Sequence, residues 1–194
     1  MNKKIVIING SPRKNGNTTI VTNWVCLGLK KIGAKIESVH VTKLENKANG
    51  CMGCRRCNDS DEYRCVIEDE TSALISKIAD KDVVVFASPV YFGSFSAQMK
   101  QLIDRMYCLK RYRDGNFIIN PTLKNVSFVL LATAGADENS GLNFLSEHMH
   151  GIAAGFGKKI EELLVPLCPP DPKDMALHSD IREKAILFGE KIAQ

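Results

Sequence analysis

Near the start of the chain, Lys4 to Thr19 read KIVIINGSPRKNGNTT. Ile5 to Ile8 form a short unbroken apolar run, the pattern of a strand covered on both faces. The run breaks at Asn9-Gly10 into a polar loop. Behind the loop, Asn17 to Ile32 place Ile20, Val21, Trp24, Val25, Gly28 and Ile32 on one helical stripe, and Gly33 supplies a stop. Strand, polar loop and amphipathic helix in that order make the first half of a parallel crossover.

The alternation then repeats. Strand-like runs recur at Lys35–His40, Val83–Ser88, Val126–Thr133 and Lys159–Pro166. The first of these alternates and suits a sheet edge. Between the runs lie four helical stretches. Thr71 is the expected cap of one carrying Leu74, Ile75 and Ile78. Ser96 caps another carrying Met99, Leu102, Ile103 and Met106. The others are Asn143–Ala154 and Asp180–Ala193, the last with Ile181, Ala185, Phe188 and Ile192 in phase. Five strands alternating with helices predict an α/β fold. It is a flavodoxin-like, doubly wound parallel sheet in the order 2-1-3-4-5, with ligands at the carboxyl ends of the first, third and fourth strands. With 194 residues, no repeat and no linker, residues 1–194 read as one domain with a cysteine-rich loop insertion at about 50–66. The proline-rich stretch Pro166–Asp174 reads as an ordered crossing loop.

Composition narrows the class. Apolar residues make up 44% and charged residues 25%, which excludes a disordered or fibrous chain. A net charge of +4 gives no argument for nucleic acid. No apolar run approaches the ~20 residues of a membrane span, nor the ~7–15 of a secretory signal. The expected location is therefore the cytoplasm, where thiols stay reduced or bind metal.

The loop Gly10–Thr19 supplies hydroxyls at Ser11, Thr18 and Thr19, the Asn17 amide, and cations at Arg13 and Lys14, at the start of a helix. A helix N-terminus attracts phosphate, although Ser, Asn and Gly also suit a plain capped turn. Neither the Walker spacing nor the dinucleotide fingerprint is present. A terminal phosphate monoester, as on FMN, fits such a hydroxyl-rich loop. After the third strand, Pro89, Val90, Tyr91, Phe92 and Gly93 precede Ser96. They suit either an aromatic-lined turn or the edge of a planar cofactor. Because the two loops leave adjacent strands, one flavin can span both.

Cys51, Cys54, Cys57 and Cys65 form a C-x2-C-x2-C-x7-C run. Four thiolates this close suit a [4Fe–4S] cluster. A structural zinc site, a thiol–disulfide pair and a cysteine loop without metal are the alternatives. From Asn58 to Arg64 only Tyr63 is large and partly apolar, so metal is expected to fix that segment. Cys26, Cys108 and Cys168 read as isolated. Lys110, Arg111 and Arg113 read as lining a ligand mouth or a subunit contact, and His148 and His150 as surface residues.

The strings NGSPRKNGNT and ASPVYFGSFSAQMKQLIDR resemble the flavodoxin-like NAD(P)H-dependent FMN reductases. The cysteine run between them resembles the iron–sulfur flavoprotein branch. The resemblance implies that Ser11, Arg13, Asn17, Thr18 and Thr19 hold the FMN phosphate. It implies that Pro89 to Gly93 meet the isoalloxazine and that a third loop, including Thr133 and Gly135, closes its other side. It also implies a cluster on the four cysteines and an FMN-dependent oxidoreductase. Its donor would be NAD(P)H or a ferredoxin-like protein, and its acceptor a small molecule. A cluster-free NAD(P)H-dependent FMN or quinone reductase is the alternative, as is a flavodoxin-type carrier, against which the positive charge speaks. A homo-oligomer, dimer or tetramer, is expected, with Met99, Met106, Tyr107, Leu109 and Tyr112 near the contact.

Overall fold

The computed structural model describes residues 2–194. Seven strands and five helices follow one another as β1 (Lys4–Asn9), α1 (Asn17–Lys31), β2 (Lys35–His40), α2 (Glu70–Ile78), β3 (Val83–Pro89), α3 (Ala97–Arg105), β4 (Lys110–Arg113), β5 (Asn116–Ile119), β6 (Ser127–Thr133), α4 (Leu142–Ala154), β7 (Ile160–Val165) and α5 (Ser179–Ile192). Five strands pair in parallel in the order β2-β1-β3-β6-β7, the flavodoxin-like arrangement. Among the described residues no helix is long and apolar enough to cross a membrane.

The central strands β1, β3 and β6 are nearly continuous in apolar residues because both faces are covered. Val6, Ile8, Val84, Phe86, Phe128 and Leu130 face α2, α3 and α4, whereas Ile5, Ile7, Val83, Val85, Val129 and Leu131 face α1 and α5. Phe86 and Phe128 meet edge to face, their ring centres 5.5 Å apart. The edge strand β2 has no fully buried residue, as its alternation implies.

Three local expectations need correction. Asp69, not Thr71, caps α2: its Oδ1 accepts from Ser72 N at 2.9 Å, while the Thr71 hydroxyl donates to Asn46. Ile32 lies past the end of α1 and is exposed. The hairpin β4–β5 matches none of the expected strands. Its turn, Asp114-Gly115, has positive φ at both residues (52° and 81°), the primed turn that an Asp-Gly pair signals between short strands. The hairpin stands apart from the main sheet, so it does not disturb the expected strand order.

Helices α1 and α5 cross at two glycines. A Cβ on Gly28 would sit 2.0 Å from the Ile186 carbonyl oxygen, and one on Gly189 would sit 2.3 Å from that of Val25. In an open helix, Gly→Ala stabilises by ~1 kcal/mol. Gly28→Ala should instead destabilise the protein by about 1–3 kcal/mol by forcing backbone apart. A lowered urea midpoint at unchanged slope is the expected readout; a raised midpoint would refute the close approach.

Candidate functional site

A cavity of about 160 Å³ opens where β1, β3 and β6 end. It brings together Ser11, Arg13, Asn17 and Thr18 from the first loop, Pro89, Val90 and Tyr91 from the second, and Thr133 and Gly135 from the third. Gly16, Ala134, Cys168 and Pro169 complete the wall. The last two come from the proline-rich segment after β7, whose place beside the other strand ends was the only hint of a role.

Local packing shapes the first loop. Gly10 donates its N–H to the Ala87 carbonyl at 2.8 Å, and Ser96 Oγ donates to the Gly10 carbonyl at 2.6 Å. A Cβ on Gly10 would lie 2.6 Å from Met99 Cβ, so only glycine lets the loop lie on α3. Ser11 Oγ donates to the Arg13 carbonyl at 3.1 Å and accepts from Arg13 N at 3.2 Å. At the start of α1 the cap residue is Gly16, no side chain caps the turn, and no acidic residue occupies it. The partial positive charge of that helix end therefore faces the cavity without local neutralisation.

The polar wall is only partly satisfied. Thr18 and Thr133 hydroxyls share a bond of 2.7 Å across the cavity floor. Asn17 Nδ2 donates to the Pro169 carbonyl at 2.8 Å, which leaves its buried Oδ1 without a protein partner. Three other expected residues stand outside the wall. Thr19 turns back, its Oγ1 accepting from Asn9 Nδ2 at 3.2 Å. Phe92 is fully exposed in a left-handed conformation, φ 49°, in a tight turn closed by Tyr91 and Ser94. Gly93 packs against Phe144, where a Cβ would lie 3.1 Å from the ring.

A second cavity, about 320 Å³, contains all four clustered cysteines in its wall. Positive φ at Gly50, Gly53 and Arg55 turns the chain through the first two C-x-x steps. Cys51 and Cys54 are exposed, Cys65 is half-buried and Cys57 is buried. Among the described residues no three thiols, imidazoles or carboxylates converge as one metal ion requires. The thiols ring a space instead. Burial pushes the Cys57 thiol up.

Cys108 is not isolated. It is buried in the wall of this cavity, and burial pushes its thiol up to about 12. Arg105 joins it there, paired with Asp69 at 2.6 Å, both side chains only 1% exposed. Burial works against the charge of both groups. The hydrogen bonds outweigh it, holding Asp69 below and Arg105 above their ordinary values.

None of the basic residues after α3 lines the cavity at the strand ends or the cysteine cavity; Lys110 lines a separate one with Tyr107 and His148. Arg111 is buried, pairs with Asp61 at 2.6 Å, and stacks its guanidinium 3.7 Å over the Tyr63 ring. Arg113 Nη2 donates to the Asn58 carbonyl at 3.4 Å, and Lys110 sits over Phe117 and Phe156. The hairpin thus grips the segment expected to depend on metal alone. The expected oligomer face is likewise altered: Met99, Met106 and Leu109 belong to the core, and only Tyr112 of that group is exposed. His148 and His150 are exposed.

Residues 3–156 match the family described as NADPH-dependent FMN reductase. An iron–sulfur flavoprotein of Archaeoglobus fulgidus is 40% identical over 98% of this chain and 79% of its own length. One from Methanocaldococcus jannaschii is 36% identical over 77% of this chain and 70% of its own. Among solved structures, an NAD(P)H:quinone oxidoreductase from Methanothermobacter marburgensis superposes with a TM-score of 0.76, covering 100% of this chain and 98% of that one at 17% identity.

Removing the grip of the hairpin should free the cysteine segment. A hydrogen bond between charged groups is worth ~1.5–3 kcal/mol, and about 1.4 kcal/mol is tenfold. Arg111→Met should therefore speed amide exchange over residues 58–64 about tenfold or more, while β1, β3 and β6 stay protected. Unchanged exchange in the segment would show that the hairpin contributes nothing to its order.

Proposed function

The chain belongs to the NADPH-dependent FMN reductase family, among the iron–sulfur flavoproteins, and is an FMN-dependent oxidoreductase; we propose that it passes electrons between its flavin and a [4Fe–4S] cluster. The observation that carries this reading is the gathering of Cys51, Cys54, Cys57 and Cys65 around one cavity. A single zinc ion draws its thiolates to one point, whereas a cube takes each thiolate at a different corner. Four cysteines distributed around the wall of one cavity are compatible with the cube.

When bound, FMN accepts a hydride and releases electrons singly, and a cluster carries one electron at a time. The protein supplies position and electrostatics. The uncapped start of α1, with Ser11, Arg13 and Thr18, holds the FMN phosphate. Thr19 supports that loop from behind, through Asn9. Asn17 Oδ1 is an unpartnered acceptor, which would suit a hydroxyl of the bound cofactor rather than its phosphate. Pro89, Val90 and Tyr91 meet one side of the isoalloxazine, and Thr133 with Gly135 the other. Phe92 and Gly93 shape the rim rather than touch the ring. Helix α3 begins beside the first loop at Ser96 and ends at the cysteine cavity with Arg105. Its nine residues rise by about 13 Å, a rigid spacer between the two sites.

One electron donor consistent with the family is NAD(P)H, another a ferredoxin-like protein, and the acceptor is a small molecule. The working form is a homo-oligomer in the cytoplasm. A cluster-free reductase is the second reading, favoured by the exposure of Cys51 and Cys54.

Anaerobically purified protein should contain FMN, iron and acid-labile sulfide. Cys54→Ser should lose the iron while retaining FMN and two-electron flavin reduction, with one-electron transfer to an external acceptor falling sharply. No iron or sulfide even after reconstitution would leave the cluster-free reductase. Arg13→Ala with Thr18→Ala should weaken FMN binding, each lost hydrogen bond being worth ~0.5–3 kcal/mol. Recovery of FAD as the sole tight flavin would overturn the assignment of the first loop to a terminal phosphate.

A further inference from the structure

Arg105 ends α3 with five N–H donors and almost no access to water. Nη1 donates to Asp69 Oδ2 at 2.6 Å. Nη2 donates to the Ile67 carbonyl at 3.0 Å and points at Cys65 Sγ, 3.5 Å away. Nε is buried with no protein partner. A buried N–H without an acceptor is costly, and Arg105 lies in the wall of this cavity. Besides the Ile67 carbonyl, the wall of this cavity offers the arginine the sulfur of Cys65, and the buried Cys108 thiol lies in the same wall.

Asp69 cannot swing away from the arginine. Oδ1 caps α2 through Ser72 N at 2.9 Å, and Oδ2 also accepts from Lys47 N at 3.0 Å. Ser72 Oγ in turn donates to the Cys65 carbonyl at 3.0 Å. The fourth cysteine, the first turn of α2 and the last residue of α3 are therefore one buried network. An ion pair needed only to join two helices gains nothing from directing a donor at a thiol, since apolar residues of similar volume pack as well or better.

We propose that the buried Arg105–Asp69 pair sets the reduction potential of the cluster at the cysteine cavity, Arg105 raising it and Asp69 moderating that rise. This rests on the cluster reading above. Reduction adds one electron to a centre already made negative by four thiolates, and no proton need follow. N–H donors on sulfur and a nearby cation both favour the more negative form, whereas a carboxylate opposes it. Neither residue is a ligand; both act through the field and hydrogen bonds at Cys65.

The test is a redox titration of anaerobic, iron-loaded protein, following cluster and flavin separately. In Arg105→Gln the cluster should become about tenfold harder to reduce, a fall of about 59 mV for one electron, at unchanged iron content and unchanged flavin potential. Arg105→Lys, which keeps the charge but not the fork, should recover part of the loss. Asp69→Asn, which keeps an oxygen for the cap, should move the cluster potential the opposite way. A purely structural pair would leave the potential unmoved in all three, or shift Arg105→Gln and Asp69→Asn in the same direction, and either result overturns the inference while sparing the cluster. If Arg105→Gln fails to fold or to hold iron, Asp69→Asn alone judges it: a rise supports it and no rise overturns it. Wild-type protein that takes up no iron and sulfide removes both the cluster and this role.

Discussion

A parallel ladder cannot be closed by a tight turn, so successive strands of the parallel sheet must be joined by crossovers. That constraint places the carboxyl ends of β1, β3, β6 and β7 along one edge of the sheet. The loops that leave those ends carry the polar and flexible residues, because the strands are buried on both faces and have no room for them. The cavity at that edge is thus a consequence of strand direction. Its finer shape depends on backbone contact at Gly10, where the first loop lies directly on α3.

The cysteine segment obeys a different physics. It has little apolar surface of its own, and its order comes from cations reaching in from elsewhere. Arg111 and Arg113 hold residues 58–63 from the hairpin, and Arg105 holds Cys65 and Ile67 from α3. Arg111 and Arg105 are each buried with a carboxylate partner, although Asp61 remains largely exposed while Asp69 is sealed. The difference matters electrostatically. A pair open to water is screened on one side, whereas the enclosed pair acts on its surroundings at a lower effective dielectric. The hairpin therefore serves as a clamp, and the enclosed pair places a persistent field beside the thiols.

Local pattern in the chain was sufficient for the sheet. Continuous Val, Ile and Phe runs marked β1, β3 and β6, alternation marked the edge strand β2, and Ser96 marked the start of α3. These are contiguous signals: strand burial and helix capping are written within a few residues. The glycine and hydroxyl content of residues 10–19 likewise marked a loop that lines a cavity, and the spacing of Cys51, Cys54, Cys57 and Cys65 marked residues that gather around another.

What lay beyond the sequence were contacts between residues far apart along it. The Asp114-Gly115 turn was visible in the chain, but its task of gripping Asn58 and Asp61 was not. Cys108 gave no spacing signal, yet it lies with the four clustered cysteines because α3 and the turn after it pass beneath them. Phe92, expected beside a cofactor, stands exposed on a left-handed turn, a position set by the turn that Tyr91 and Ser94 close. Arg105 looked like an ordinary basic residue at a helix end, where it suits the dipole. Only the fold buries it against Asp69 and Cys65, 36 and 40 residues away. Periodicity reports which face of an element avoids water, because that preference belongs to each side chain. Which charge meets which thiol is a property of packing, and it exists only once the helices are in place.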